Sequence, residues 1–296
     1  MASMKPTSFP VMFYTVPKTS CPLMEPAVTT PHSYDDIARQ LAPIAIEAGS
    51  LVMGMQALHQ ASRTKADGTP TCSADTTSES LIVERLRHAF PKIPIISEER
   101  IQDDSARNNF FLVDPVDGTA EFIGGGREYC INIALIEKGR PVASVIAAPA
   151  LNRIWIAGET AYEADIATLD WSTISTSIDQ TDRLIALTSS RYGDEETEAY
   201  LATLPVTERR LISSAIKFGL IASGEADLYV RLGRTMEWDT AAGDHVLARA
   251  GGITLDSDGL PLTYGRRSQA YANGAFMALG NPALAKKIRL PMHGKA

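Results

Sequence analysis

The segment Phe110-Phe111-Leu112-Val113-Asp114-Pro115-Val116-Asp117-Gly118-Thr119 constrains this chain more than any other. Its apolar start reads as a buried strand, and the strand ends on two carboxylates three residues apart. Pro115 fixes φ and stiffens the turn between them. Gly118 permits a close backbone approach, and Thr119 is placed to cap a following helix. Two carboxylates held together repel unless they are protonated or bridged by cations. Oxygen ligands on a rigid turn suit Mg²⁺, with the Val116 carbonyl as a third donor. A bare pair of aspartates at this spacing reads more plainly as an acidic, solvated turn; the full Asp-Pro-Val-Asp-Gly-Thr string is much rarer.

Three further segments carry acidic groups. Ser97-Glu98-Glu99 closes a short apolar run, and alone it reads equally as a solvated strand end. In Glu237-Trp238-Asp239-Thr240-Ala241-Ala242-Gly243, Asp239 falls where a helix starts, and the small residues after it allow close packing and bring N-terminal amides near a ligand. An ordinary Asp N-cap is the simpler alternative. Lys65-Ala66-Asp67-Gly68-Thr69-Pro70 leads to Ala74-Asp75 and Ser78-Glu79, where Ser73 or Asp75 could merely cap a helix.

The remaining pattern organises these segments. Six prolines in residues 1–33 argue against a helix or a central strand, so an extension without packed structure is expected there. Helices are expected from Tyr34, with Ser33 as cap, to about Leu58 and from Asp75 to His88, with Pro43 as a kink point in the first. Strands are expected at Ile93–Ile96, Phe110–Val113, Cys130–Ile136, Val142–Ala147 and Ile154–Ile156, and more weakly at Ile166–Leu169 and Leu184–Leu187. Beyond residue 180 the pattern alternates: helices at Asp194–Leu204, Ser214–Ser223 and Thr240–Arg249, strands at Leu228–Arg231 and Ala275–Leu279, and a short basic helix near Ala283–Ile288. This predicts an α/β (α+β) protein with sub-domains at 34–160, carrying most of the acidic segments, and 161–296. Asp256-Ser257-Asp258-Gly259 resembles the start of a calcium loop, but Arg267 stands where the closing Glu is needed, so a turn is expected.

Composition excludes several classes. The 296 residues hold 28 basic and 35 acidic side chains, a net charge of −7, which leaves no overall basic footprint for a nucleic-acid polymer. An anionic substrate then needs a locally reversed field, and bound cations are the simplest source. Three separated cysteines, Cys21, Cys72 and Cys130, make no disulfide framework, and the five histidines make no zinc-ligand pair. Neither a membrane-spanning run nor a signal segment is apparent, so a cytoplasmic location is expected.

Taken in order, Asp-Gly-Thr-Pro…Ala-Asp, Ser-Glu-Glu, Asp-Pro-Val-Asp-Gly-Thr-Ala-Glu-Phe and Trp-Asp-Thr-Ala-Ala-Gly resemble the inositol-monophosphatase-like, lithium-sensitive phosphatases, from about Tyr34 to Leu279. Within them, Glu121-Phe122, Glu128-Tyr129-Cys130-Ile131-Asn132, Lys217-Phe218 and Met236-Glu237-Trp238-Asp239 look most like the 3′(2′),5′-bisphosphate nucleotidases of the CysQ type. The resemblance implies a layered α-β-α-β-α sandwich of the sugar-phosphatase kind. It implies hydrolysis, without a phospho-enzyme, of the 3′-phosphate of adenosine 3′,5′-bisphosphate (or its phosphosulfate) to AMP, serving sulfate assimilation. It implies two or three Mg²⁺ ions on Glu98, Asp114, the Val116 carbonyl, Asp117, Asp239 and Asp75. Catalytic roles fall on Glu98, Thr119, which orients the attacking water, and Asp75, its partner. Substrate contacts fall on Val116, Asp117, Gly118, Thr119, Lys217 and Asp239. Cys72, Ala120 and Ser213-Ser214-Ala215-Ile216 depart from the family's usual residues without removing a metal ligand. The resemblance is compatible with a monomer or homodimer and with peripheral attachment at the inner membrane, although no amphipathic anchor is present. An inositol or sugar phosphatase on the same scaffold, and a non-catalytic metal-binding protein, are the alternatives.

Overall fold

Alternating apolar residues on adjacent strands give this chain a sheet with two buried faces, and the helices follow from that. The computed structural model describes residues 33–57, 62–64, 70–99, 108–178, 181–189 and 195–291. The proline-rich extension and Asp67-Gly68-Thr69 lie outside them.

In chain order, helix α1 (Tyr34–Ala57) precedes a short hairpin, β1 (Ser62–Thr64) and β2 (Pro70–Cys72), and then helix α2 (Ser73–Ala89). Strands β3 (Ile95–Ser97) and β4 (Asn109–Asp117) lead through α3 (Thr119–Ile123) to β5 (Cys130–Glu137), β6 (Arg140–Ala148), β7 (Arg153–Ala157), β8 (Ala161–Asp165) and β9 (Ser172–Thr173). The later chain gives β10 (Leu184–Thr188), α4 (Glu195–Leu201), β11 (Val206–Leu211), α5 (Ile216–Ala222), β12 (Leu228–Arg231), β13 (Thr235–Met236), α6 (Glu237–Arg249), β14 (Ile253–Asp256), β15 (Ala272–Asn273) and β16 (Phe276–Leu279).

Strands β3 to β9 form one seven-stranded sheet in sequence order, antiparallel except for the parallel pair β3–β4. Its period-two pattern divides cleanly. Phe111, Val113, Ile131, Ile133, Val145, Ile154 and Ile156 pack under α1 and α2. Phe110, Leu112, Ala134, Ile146 and Trp155 face the opposite way, into the core shared with α5 and α6. A five-stranded sheet, ordered β11-β10-β12-β16-β14, lies on the other side of α5 and α6. Its outer face is covered by α4 and by the 3₁₀ turn at Pro282–Lys286. The layers are therefore helix, sheet, helix, sheet, helix, as the family resemblance implies. Residues 31–296 pack as one unit.

Close helix contact in the middle layer depends on small residues. A Cβ at Gly243 would come within 2.4 Å of the Phe218 ring, so the Ala-Ala-Gly run does let α6 approach α5. Pro43 lies inside α1, which continues past it because Leu41, Ala42, Ile44, Ala45 and Ala48 are buried against the sheet.

Several expected elements differ. Ile166–Leu169 is not a strand; the pairing strand is Ala161–Asp165, and the chain turns after it, with the Leu169 amide donating to the Asp165 carbonyl. The helices expected at Ser214–Ser223 and Ala283–Ile288 shorten to Ile216–Ala222 and a 3₁₀ turn. The helix expected at Thr240 begins earlier, at Glu237. The Asp256 loop is a turn, its carboxylate accepting the amides of Asp258 and Leu260 at 2.9 Å each.

Candidate active site

The site begins with an irregularity in β4. Asp114 pairs with Asn132 of β5, and Asp117 pairs with Cys130, so Pro115 and Val116 together oppose the single residue Ile131. This is a β-bulge, and Pro115, which has no amide to give the ladder, sits within it. The bulge has a geometric consequence. Residues three apart on a regular strand point to opposite faces; the extra residue restores parity, and Asp114 and Asp117 both turn toward α6. Ser78 of α2 fixes the bulge from behind, its hydroxyl donating to the Pro115 carbonyl at 2.8 Å. The Val116 amide donates to Asp114 Oδ1 at 3.1 Å.

Gly118 has φ of +92° and caps α3. Thr119 is therefore the first helical residue and not the cap expected from its type. Its hydroxyl lies 2.8 Å from Asp75 Oδ1 and 2.9 Å from the Val116 carbonyl, with one proton to serve the two acceptors. Asp75 is fully buried at the third position of α2. Its other oxygen accepts from the Cys72 amide at 2.8 Å and faces the Cys72 thiol at 3.0 Å. Asp239 occupies the same position of α6 and accepts the Met236 amide at 2.7 Å. Neither Asp75 nor Asp239 is an N-cap; each is the carboxylate that satisfies the amide of the capping residue.

Glu98 follows β3 and is tied to β4 through its amide, which donates to the Val113 carbonyl at 3.2 Å. Glu98, Asp114, Val116, Asp117, Gly118, Thr119 and Asp239 line one cleft of about 660 Å³, and Asp75 lies just behind it. Lys217, Arg231, Arg234, Ser189, Ser213, Ser214, Tyr229 and Met236 also line it. Most of these the sequence does not reveal: Arg231 and Arg234 stand at the end of β12 and in the loop after it, with no motif to single them out. Asn132 is also missed, although it sits opposite Asp114 and donates to Asp117 at 3.1 Å.

Electrostatics show what the cleft needs. Burial raises the Asp114 carboxyl well above its usual range, and Glu98, Asp117, Asp239 and Asp75 raise it further. Asp239 is raised well above its range by burial and then by Asp117. Both carboxyls therefore hold a proton more readily than a free aspartate does. Asp117 is raised by burial, while Lys217, the Ala215 amide and Asn132 oppose the rise. Lys217 is itself buried; its ammonium donates to the carbonyls of Ser214 and Ile212 at 2.7 and 3.1 Å and lies 4.8 Å from the Tyr229 ring centre. Burial pulls its pKa down to about 8.

Buried carboxyls that raise one another mark a place that a cation can take. The donors are all oxygen, which suits a hard divalent ion. Among the described residues, no three His, Cys, Asp or Glu side chains are gathered to metal-ligand spacing. The physical reason is that each carboxylate is held by its own donors: Asp75 by Cys72 and Thr119, Asp117 by Asn132 and Ala215, and Asp239 by Met236.

Residues 31–289 match the profile of the inositol monophosphatase family. The chain belongs to that family. Members use divalent metal ions. Among curated relatives, the 3′(2′),5′-bisphosphate nucleotidase CysQ of Escherichia coli strain K12 is 35% identical over 245 residues, covering 80% of this chain and 97% of the relative. The protein of the same name from Haemophilus influenzae is 31% identical over 263 residues, 83% of this chain and 94% of the relative. Among solved structures, CysQ from Bacteroides thetaiotaomicron superposes with a TM-score of 0.69 at 29% identity, over 82% of this chain and 96% of that one. The Thermotoga maritima IMPase reaches a TM-score of 0.73 at 23% identity, over 85% and 94% of the two chains, and supports the layered fold. No described helix of this family member is long and apolar enough to cross a membrane.

Proposed function

We propose that this chain is a Mg²⁺-dependent 3′(2′),5′-bisphosphate nucleotidase that hydrolyses the 3′-phosphate of adenosine 3′,5′-bisphosphate, giving AMP and phosphate, in the service of sulfate assimilation. The observation that carries the reading is one cleft lined by Asp114, Asp117, Asp239 and Thr119 together with Lys217 and two arginines, with Asp75 hydrogen-bonded to Thr119. The share of sequence in common with relatives named for that activity supports the substrate.

Glu98, Asp114, the Val116 carbonyl, Asp117, Asp239 and Asp75 are the groups that would hold two or three ions. An ion held there would neutralise and polarise the phosphate and make a water more acidic. The protein contributes position and charge. Thr119, donating its proton to Asp75, offers its oxygen lone pairs to a water hydrogen and so orients the water for in-line attack. Glu98, at the end of β3, faces the same water and accepts its second hydrogen. Gly118 and Thr119 line the cleft, and their amides would donate to the phosphate. Lys217, fixed by two carbonyls, adds a positive charge beside the substrate without a change of shape on binding.

Phosphate release measured side by side from adenosine 3′,5′-bisphosphate and inositol 1-phosphate tests this reading, with Mg²⁺ present and with chelator. The nucleotide should be hydrolysed faster, and Asp117→Asn should lose nearly all turnover with its circular dichroism intact. Faster release from inositol 1-phosphate would transfer the chain to the sugar-phosphate branch of its family. Undiminished turnover in Asp117→Asn would remove the acidic cleft from the mechanism.

A further inference from the structure

Asp117 does not offer its two oxygens evenly. Oδ2 accepts the Ala215 amide at 2.5 Å and the Asn132 side-chain amide at 3.1 Å, and the Cys130 thiol lies 3.7 Å from it. Oδ1 receives no hydrogen bond from the described residues, on a side chain that lines the cleft. An oxygen has two lone pairs, and the two amides occupy both of those on Oδ2. Only Oδ1 is left for a cation. Both amides are held rigidly. Asn132 is 1% exposed and lies mid-sheet, paired with Asp114 on one side and Ile146 on the other. Its side chain can face only one way: turned over, its carbonyl oxygen would meet the carboxylate, and the Cys130 thiol, 3.4 Å from Oδ1 of Asn132, would lose an acceptor. The Ala215 amide is aimed by Ser214, whose φ is a left-handed +60°, and the Ser214 carbonyl is fixed by Lys217 at 2.7 Å.

We infer that Asn132 confines Asp117 to coordination through one oxygen and so sets how sharply the cleft discriminates Mg²⁺ from Ca²⁺. The inference rests on the metal-dependent reading given above. Mg²⁺ is small and demands a near-octahedral shell, whereas Ca²⁺ takes more oxygens in a flexible shell and accepts both oxygens of one carboxylate. Without Asn132, the Ala215 amide fills one lone pair of Oδ2 and leaves the other open. The carboxylate can then turn about its last bond and give both oxygens to one ion. That change suits the larger ion and deprives the smaller one of a ligand held in place. Asn132 touches neither ion nor substrate in this account; it is a positioning residue that acts through Asp117.

Calorimetric titration of the metal-free whole chain with Mg²⁺ and, separately, with Ca²⁺ tests this on the wild type, Asn132→Leu and Asn132→Ala. Leucine copies the shape of the side chain without its donor, and alanine opens space that water can enter. Loss of a partner that orients a metal ligand costs on the order of tenfold to a hundredfold in affinity. Mg²⁺ should therefore bind at least about tenfold more weakly to both variants, while Ca²⁺ keeps its affinity, so that the ratio of the two dissociation constants shifts by about the same factor. Cys130→Ala removes only the distant thiol beside the same oxygen and should leave the ratio where it is. A merely structural role for Asn132 makes both affinities fall together; an unchanged ratio, an equal shift in Cys130→Ala, or loss of the wild-type circular dichroism in both Asn132 variants overturns the inference alone. A wild-type chain that binds neither ion overturns the metal-dependent reading, and this inference with it.

Discussion

Gly118 is the residue at which the turn after β4 is most sensitive to a single carbon atom. Alanine there must hold φ near +92°, a left-handed conformation that costs an L-residue about 1–2 kcal/mol. Its Cβ would also stand 3.0 Å from the Glu128 carbonyl oxygen and 3.3 Å from Tyr129 Cα. Both are backbone atoms and cannot swing aside, so relief requires a shift of the turn, worth roughly 1–3 kcal/mol by analogy with overpacked cores. Gly125 provides the control. Its φ is +75°, and a Cβ there meets nothing within 4 Å. The conformational cost and the smaller entropy of the unfolded alanine chain are common to both substitutions, so their difference isolates the contact. Urea denaturation should place Gly118→Ala about 1–3 kcal/mol below Gly125→Ala. Because Asp117 and Thr119 flank the displaced residue, Gly118→Ala should also lose phosphatase turnover on the order of a hundredfold, while Gly125→Ala keeps it. Equal stability of the two variants, or full turnover in Gly118→Ala, would refute the claim that this turn is fitted against the chain at Glu128 and Tyr129.

The charges of the cleft give three further predictions. Asp114 and Asp239 have carboxyl pKa values raised above the ordinary 3.8, so the folded, metal-free protein keeps protons that the unfolded chain has released. These groups therefore add stability as pH falls from their raised values toward 3.8, and they withdraw it as pH rises. Denaturant midpoints in EDTA should rise on acidification through that window and flatten in Asp114→Asn; a slope unaffected by the substitution would count against the repulsion. Divalent metal at a hundred times its Kd should stabilise the wild type by about 2.7 kcal/mol. Lys217, its pKa brought down to about 8, should lose its proton as pH passes that value. KM for the phosphorylated substrate should then climb above about pH 8, and Lys217→Met should have a high KM without that limb; a wild-type KM flat through this range would contradict the assignment.

How far the sequence reveals this fold depends on whether an element's own side chains carry its burial. Strands β4 to β7 are legible because both faces of their sheet are buried and their residues are almost all apolar. Val206–Leu211 is not, because Val-Thr-Glu-Arg-Arg-Leu lies at the edge of its sheet, with three of its six residues charged and largely facing solvent. Ala161–Asp165 is overlooked for a related reason: its buried side chains are alanines, which carry little hydrophobic signal, and the more apolar residues after it belong to a turn. The acidic positions of the site are legible as types and spacings. Their local roles are not, because Cys72 and Met236 stand at the cap positions and donate their backbone amides to Asp75 and Asp239, and residue type at the cap gives no sign of that. Arg234 is invisible in sequence for the simplest reason, that a lone arginine in a loop has no pattern, and only the shape of the cleft gives it a place.

The bulge in β4 shows how one local irregularity joins these levels. On a regular strand, Asp114 and Asp117 would lie on opposite faces of the sheet, and one carboxylate would be driven into the apolar layer beneath α1 and α2, among Ile131, Ile133 and Val113. Such a charge has no partner there and would have to be neutralised by protonation or extruded. Inserting one residue moves the second aspartate to the face that already carries Asp114 and Asn132, where Asn132, the Ala215 amide and Lys217 compensate it. Pro115 makes the insertion inexpensive, since it forfeits a ladder hydrogen bond that a bulge breaks in any case. Ser78 satisfies the carbonyl left over. The odd spacing, the proline and the two acids are thus parts of one device, which gathers like charges at the mouth of an otherwise apolar sheet and leaves them in need of a cation.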